Sequence, residues 1–294
     1  MEKLIIEAAL NESVTRKQHP YVPYTPEEIA RDAYECYNAG ASVLHFHPRD
    51  PQTGVNRPDD TELYLDALQR IKAKCDLIFY PTYGGRATIE QGFPHVRALT
   101  ESPVAKLEVH LFFVGALNMG RYDPARKKFV SDEVSYMLHS EAESFLTYCK
   151  QTGLKPHIGV KELGHIRHVM AFRELGLMKD PVVCNLFFSD VAPYGPPPTA
   201  EGIQAYLSAV PPGVPFQWFV QNYSASHYKL NALAVAMGGH ARTGVGDTNQ
   251  LSPGEMKPER NAQMVERVVS FARATGRDVA TPAEARKILG IRRE

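Results

Sequence analysis

The sequence lacks an excess of either charge. Lys plus Arg and Asp plus Glu both number 33, so the formal net charge is zero. Without a basic run there is no electrostatic footprint for nucleic acid and no polybasic segment to hold the chain on an anionic membrane. No apolar run approaches the roughly 20 residues that a membrane span needs. The opening stretch from Met1 to Leu10 is interrupted by Glu7 and leads into polar sequence without a small-residue cleavage pattern, so it is not expected to act as a signal peptide. Cysteine is scarce: Cys36, Cys75, Cys149 and Cys184 lie far apart with no CxxC pair. That spacing argues against a disulfide framework and fits reduced, packed thiols in a cytoplasmic protein. Linkers, repeats and low-complexity segments are also missing.

What is present is a strict alternation of β-rich runs and amphipathic stretches. Hydrophobic residues make up 44% of 294, enough for a large core. Strands are predicted at Leu4 to Ala9, Ser42 to His47 and near 76–81, 104–113, 155–161, 181–188, 215–220 and 240–245. Thr25-Pro-Glu-Glu28 combines an N-cap threonine, a proline at N1 and a capping-box glutamate. The helix it opens runs to about Ala39 and stops at Gly40. Further helices are predicted near 60–74, 88–99, 132–151, 163–175, 199–209, 227–237 and 258–275. Eight strands alternating with eight helices imply a parallel sheet, and that number over this length favours a closed (β/α)₈ TIM barrel, a single domain spanning residues 1–294. Thr281-Pro-Ala-Glu284 repeats the capping signature and opens a short extra helix at the C-terminal end.

In such a barrel the chemistry belongs where strands end and βα loops begin. His45 and His47 are two apart on the second strand, so both rings face the barrel mouth. Two imidazoles there make a half-site for zinc or a similar divalent ion, or else a hydrogen-bonded pair without metal. At the end of the eighth strand, Arg242 precedes Asp247 by five residues. The pair is either an oriented base or a rim salt bridge. Tyr80-Pro-Thr-Tyr-Gly-Gly-Arg86 ends the third strand, and Gly84 and Gly85 read as an anion nest or a tight turn beside the Thr82 hydroxyl. His157, Gly159 and Lys161 share one strand face. Lys161 is a candidate Schiff-base lysine, or a lysine paired with Glu162 or Asp190.

Taken in order, these segments resemble the β-keto acid cleavage enzyme family over nearly the whole chain. The likeness is carried by Tyr24-Thr-Pro-Glu-Glu28, Ala39-Gly40-Ala41, His45-Phe-His-Pro-Arg49, Thr82-Tyr-Gly-Gly85, Gly115-Ala-Leu-Asn-Met-Gly120, Gly238-Gly-His-Ala-Arg242, Asn261-Ala-Gln and Ala280-Thr-Pro-Ala-Glu-Ala285. The resemblance implies a metal-assisted transfer in which a β-keto acid and acetyl-CoA become acetoacetate and a new CoA ester. It implies zinc on His45 and His47, and Asp247 as the base that takes a proton from C2, helped by Arg242 and Thr82. It also implies a homo-oligomer. Gly84 and Gly85 are expected to hold the substrate carboxylate, and Arg49 and Ser13 to contact substrate. The family's third zinc ligand, a glutamate before the aspartate, falls at Gly246. Its amine-reading glutamate falls at Ser13, with Glu12 beside it, so the substrate is expected to lack a distal amine. Glu7, an acid inside an apolar strand next to both metal-site strands, is then either the third ligand or a salt-bridge partner of Arg242 or another inward cation, with Asp247 as a second candidate ligand. A metal-independent aldolase-type lyase using Lys161 and a non-catalytic binding barrel are the competing expectations.

Overall fold

The structure, a computed structural model, describes residues 2–82, 93–223, 225–248 and 260–292. Eight parallel strands form its centre: β1 (Ile6–Ala9), β2 (Val43–His45), β3 (Ile78–Tyr80), β4 (Val109–Phe113), β9 (Lys155–Val160), β10 (Val182–Ser189), β11 (Phe216–Tyr223) and β12 (His240–Thr243). Their spatial order is β3-β2-β1-β12-β11-β10-β9-β4. Neighbours in space are thus neighbours in the barrel sequence, and the predicted eight-unit barrel is the observed one. No ladder among the described residues joins β3 to β4.

Local chemistry explains the element ends. Thr25 accepts from the Glu28 amide, and the Glu28 carboxylate accepts from the Thr25 amide, closing the predicted capping box of helix α1 (Pro26–Ala39). Gly40 terminates that helix at φ 119°, a conformation in which a side chain is costly. The last helix, α9 (Pro282–Leu289), opens on the same box at Thr281 and Glu284. It plugs the N-terminal end of the barrel, where Ala285 and Leu289 pack against Ile5, Val43, Ile78 and Val109.

One region departs from the expected alternation. Residues 132–138, read from sequence as the start of a helix, instead supply strand β8 (Val134–Met137). It pairs antiparallel with β5 (Gly115–Asn118), and a small ribbon of β6 (Tyr122–Asp123) and β7 (Lys128–Phe129) extends it. Helix α4 therefore begins only at His139 and runs to Thr152. The segment Val134-Ser-Tyr-Met137 alternates its exposure along the ribbon, a period-two pattern that outweighs the helical one. No helix among the described residues is long and apolar enough to cross a membrane.

Candidate active site

The strand register builds the site in layers. Glu7 of β1 lies opposite Arg242 of β12, and two residues further along, level with Ala9, His45 of β2 lies opposite Tyr80 of β3. Because side chains alternate along a strand, these residues point together into the barrel mouth. The His45 ring stacks on Tyr80 with centroids 4.7 Å apart. Its Nδ1–H donates to the Tyr80 carbonyl at 3.1 Å, which leaves Nε2 as the nitrogen facing the cavity. The cavity is about 220 Å³, and its lining includes Glu12, His45, His47, Thr82, Lys161 and Arg242.

Glu12 completes a cluster with the two histidines. Its Oε1 lies 3.1 Å from His45 Nε2, and its Oε2 lies 3.1 Å from His47 Nε2. Ligand atoms of a tetrahedral zinc site sit about 3.4 Å apart, given bonds of roughly 2.1 Å. Among the described residues this is the one grouping of three such side chains that could hold an ion, with all donor atoms within 4.8 Å of one another. With His45 Nδ1–H committed to Tyr80, a lone pair faces a carboxylate unless a cation lies between them. At His47, Asn56 donates to Nδ1, and burial pushes the pKa down against the pull of Glu12.

The surrounding charge points the same way. Arg242 donates to Glu7 at 2.7 Å, to both Asp247 oxygens at 3.0 Å, to the Tyr80 hydroxyl at 2.9 Å and to Glu12. Three carboxylates surround one guanidinium and two imidazoles. With the imidazoles neutral, the cluster carries two net negative charges that a divalent cation would balance. Burial raises the Asp247 carboxyl to about 6 despite Arg242, whereas Arg242 and the histidines hold Glu12 well below the usual carboxylate range in spite of its burial.

The third side chain placed where it could hold an ion with the two histidines is thus Glu12, and Glu7 takes its alternative role, the salt bridge to Arg242. Glu7 is fully buried, paired with Arg242, and accepts the Tyr80 hydroxyl. Its register position opposite Arg242 commits it to the guanidinium. Of the residues expected to contact substrate, neither Ser13 nor Arg49 lines the cavity. Ser13 is exposed and absent from the cavity wall. Arg49 lies beneath the loop that carries Glu12, donating to the carbonyls of Gly54, Asn11, Glu12 and Val14. Thr82 lines the cavity as expected, while Gly84 and Gly85 lie outside the described residues. Asp247 is held behind Arg242 and does not itself line the cavity.

Gly246 explains why Glu12 takes the position it does. A Cβ built on Gly246 would lie 2.7 Å from Glu12 Cγ and 2.9 Å from the Glu12 amide nitrogen. The Glu12 side chain fills the space that a side chain at 246 would need. Glu12 pays for that reach with a backbone φ of 38°, in the left-handed region. Asn11 steadies the loop by donating to the Pro23 and His47 carbonyls and accepting from the His47 amide.

Comparison with known proteins now decides the family. The profile described as beta-keto acid cleavage enzyme matches residues 3–291. The chain belongs to the beta-keto acid cleavage enzyme family. Its relatives include a 3-keto-5-aminohexanoate cleavage enzyme of Fusobacterium nucleatum, 32% identical to this chain over the whole of both chains. A 3,5-dioxohexanoate:acetyl-CoA acetone transferase of Paraburkholderia graminis is 27% identical, covering 99% of this chain and 96% of that one. Among solved structures, a complex of ObcA with oxaloacetate superposes with a TM-score of 0.70 at 17% identity, over 92% of this chain and 68% of the other, and shares the fold. Within the family, the features that sequence reading missed are the donation of a third carboxylate from the β1–α1 loop and the cavity wall of Phe113, Met119, Phe187 and Tyr223. The first had a signal in Glu12 beside Ser13. The second depends on the unforeseen β5–β8 ribbon, which delivers Met119.

Proposed function

We propose that this member of the beta-keto acid cleavage enzyme family joins a β-keto acid to acetyl-CoA and releases acetoacetate and a new acyl-CoA. The observation that carries the reading is the convergence of Glu12, His45 and His47 beside the Arg242–Asp247 pair in one cavity. A zinc ion, or a similar divalent ion, held by Glu12, His45 and His47 would polarise the keto oxygen and make the C2 proton removable near neutral pH.

The chain's own residues do the rest. Arg242 lines the cavity and offers its guanidinium to the substrate carboxylate. Drawing Arg242 towards substrate loosens its hold on Asp247 and uncovers that carboxylate to the cavity, where it becomes the stronger base and takes the C2 proton. The C2 carbanion attacks the acetyl thioester carbonyl, forming a carbon–carbon bond and expelling the CoA thiolate. The thiolate attacks the former keto carbon. Cleavage of the old C2–C3 bond then gives acetoacetate and the new CoA ester, with the Asp247 proton returned to C2. Thr82 is a hydroxyl donor on the cavity wall to the developing oxyanions. Its orientation is fixed at the backbone, where its amide donates to the Tyr64 hydroxyl at 2.9 Å and its carbonyl accepts from His95 at 3.1 Å.

Isotope placement tests the reading. With acetyl-CoA carrying ¹³C in both acetyl carbons, the label must appear in the methyl and keto carbons of acetoacetate and be absent from the new acyl-CoA. Label in the acyl-CoA, or acetoacetate formed without acetyl-CoA, would reject the proposed bond order.

A further inference from the structure

Lys161 follows the last residue of β9 and is 6% exposed. Its side chain enters the same cavity as Glu12, His45 and Arg242. Neither acid that sequence suggested as its partner reaches it. Glu162 accepts from the Gly195 amide, and Asp190 accepts from Asn222 and Ser226. Instead Nζ stands 3.9 Å above the Phe113 ring and 5.4 Å from the Phe187 ring, with Met119 Sδ at 3.4 Å. Phe113 fits beneath it because Gly159 has no side chain: a Cβ there would lie 2.4 Å from the Phe113 ring. Among the described residues no carboxylate lies in salt-bridge range of Nζ. Two aromatic faces and a thioether compensate a buried ammonium only weakly, and an unpaired buried charge is costly. Such a group, aimed into a ligand cavity and deep in the barrel wall, is built for an anion that arrives with the ligand. The aromatic and thioether wall around it suits the methylenes that lead to that anion.

We propose that Lys161 reads a second carboxylate at the distal end of the substrate, which makes the preferred substrates 3-oxo dicarboxylic acids. The proposal rests on the keto-acid reading above, and it extends that reading from reaction to substrate class. One carboxylate meets Arg242, the keto group faces Glu12, His45 and His47, and the other carboxylate lies against Lys161 in a charge-assisted hydrogen bond.

The test compares 3-oxohexanedioate with 6-methyl-3-oxoheptanoate, in which an isopropyl group replaces the distal carboxylate at similar size. Calorimetric binding without acetyl-CoA and kcat/KM with it are measured on the native protein and on Lys161→Met. The native protein should favour the diacid by about 30-fold in both measurements, the factor expected for one hydrogen bond between charged groups. Lys161→Met should abolish or invert that preference, leave KM for acetyl-CoA unchanged, and melt no lower than the native protein. Equal binding of the two acids by the native protein would overturn the assignment, with no variant required. Equal loss of both acids in Lys161→Met would also overturn it. A raised KM for acetyl-CoA with the diacid preference intact would assign Lys161 to a CoA phosphate instead. A keto acid trapped on Lys161 by borohydride would make the lysine a nucleophile and end the proposal. If the diacid binds through Lys161 but no acetoacetate forms, the reaction is wrong and the anion site stands. If acetoacetate forms without diacid preference, the reaction stands and the anion site fails.

Discussion

At the scale of single residues, the site turns on which acids are free. Glu7 is committed to Arg242 and Tyr80, and Glu12 faces two imidazole nitrogens. Glu12→Gln should therefore weaken zinc binding by more than the roughly 10- to 100-fold lost with an outer-shell partner. Glu7→Gln should keep the metal stoichiometry while lowering stability, because it breaks a fully buried ion pair. Equilibrium dialysis of both variants against zinc separates the two roles. Asp247→Asn should retain the metal and lower turnover by about 10³-fold, the usual loss with a general base. Since burial raises the Asp247 carboxyl to about 6, native turnover should fall as pH drops below that value, where the base is protonated. Lys161 titrates in the opposite sense to a paired lysine. Burial lowers its pKa from 10.5 to about 8, so between those values the unfolded chain binds more protons than the folded one. Stability relative to Lys161→Met should rise with pH across that window. A difference that stays flat from pH 8 to 10.5 would mean the ammonium has an anionic partner in the free protein.

At the scale of elements, the β1–α1 loop places a carboxylate where the family resemblance expects one from the loop after β12. Glu12 crosses above Gly246, and the two positions exclude each other's side chains. Gly246→Glu alone should clash with Glu12 and lose metal. Adding Glu12→Gly removes the clash and places glycine at a φ of 38°, a conformation that suits it. The double variant should regain zinc binding that neither single variant has, and metal content by mass spectrometry reads it directly. This exchange marks where sequence reasoning stopped. The capping boxes, Gly40 and the paired histidines of β2 are local signals and were legible. Gly246 was legible as a gap. The residue that fills it lies on another loop, and its direction depends on a left-handed backbone held by Arg49 and Asn11, which no periodicity encodes. Glu7 looked exceptional in sequence for a sound reason, since a buried acid needs a partner. The register of β1 against β12 supplied that partner as Arg242, the salt bridge that the sequence offered beside metal ligation.

At the scale of the molecule, the barrel order followed from counting alternating units, but its seam and its ribbon did not. Asp76 precedes β3 and Glu108 precedes β4, the two strands that share no ladder among the described residues. Arg286 of α9 binds both, at 3.1 Å to Asp76 and at 2.8 and 2.7 Å to Glu108. The C-terminal helix thus ties together the strand starts that backbone hydrogen bonds leave apart. Arg286→Met should cost about 2 kcal/mol in denaturant unfolding, from charge-assisted bonds lost at a mostly buried site, with the metal site unchanged. At the other end of the barrel, the same eight strands deliver Glu12, His45, His47, Arg242 and Lys161 to one cavity. The central claim is that this cavity uses a divalent ion, held by Glu12, His45 and His47, to cleave a β-keto acid with acetyl-CoA. The most direct measurement is acetoacetate formation from 3-oxohexanedioate and acetyl-CoA by protein stripped with a chelator, before and after zinc is returned. The account predicts turnover lost on stripping and restored by zinc in the native protein, with no restoration in Glu12→Gln. Full turnover by the metal-free protein would contradict it.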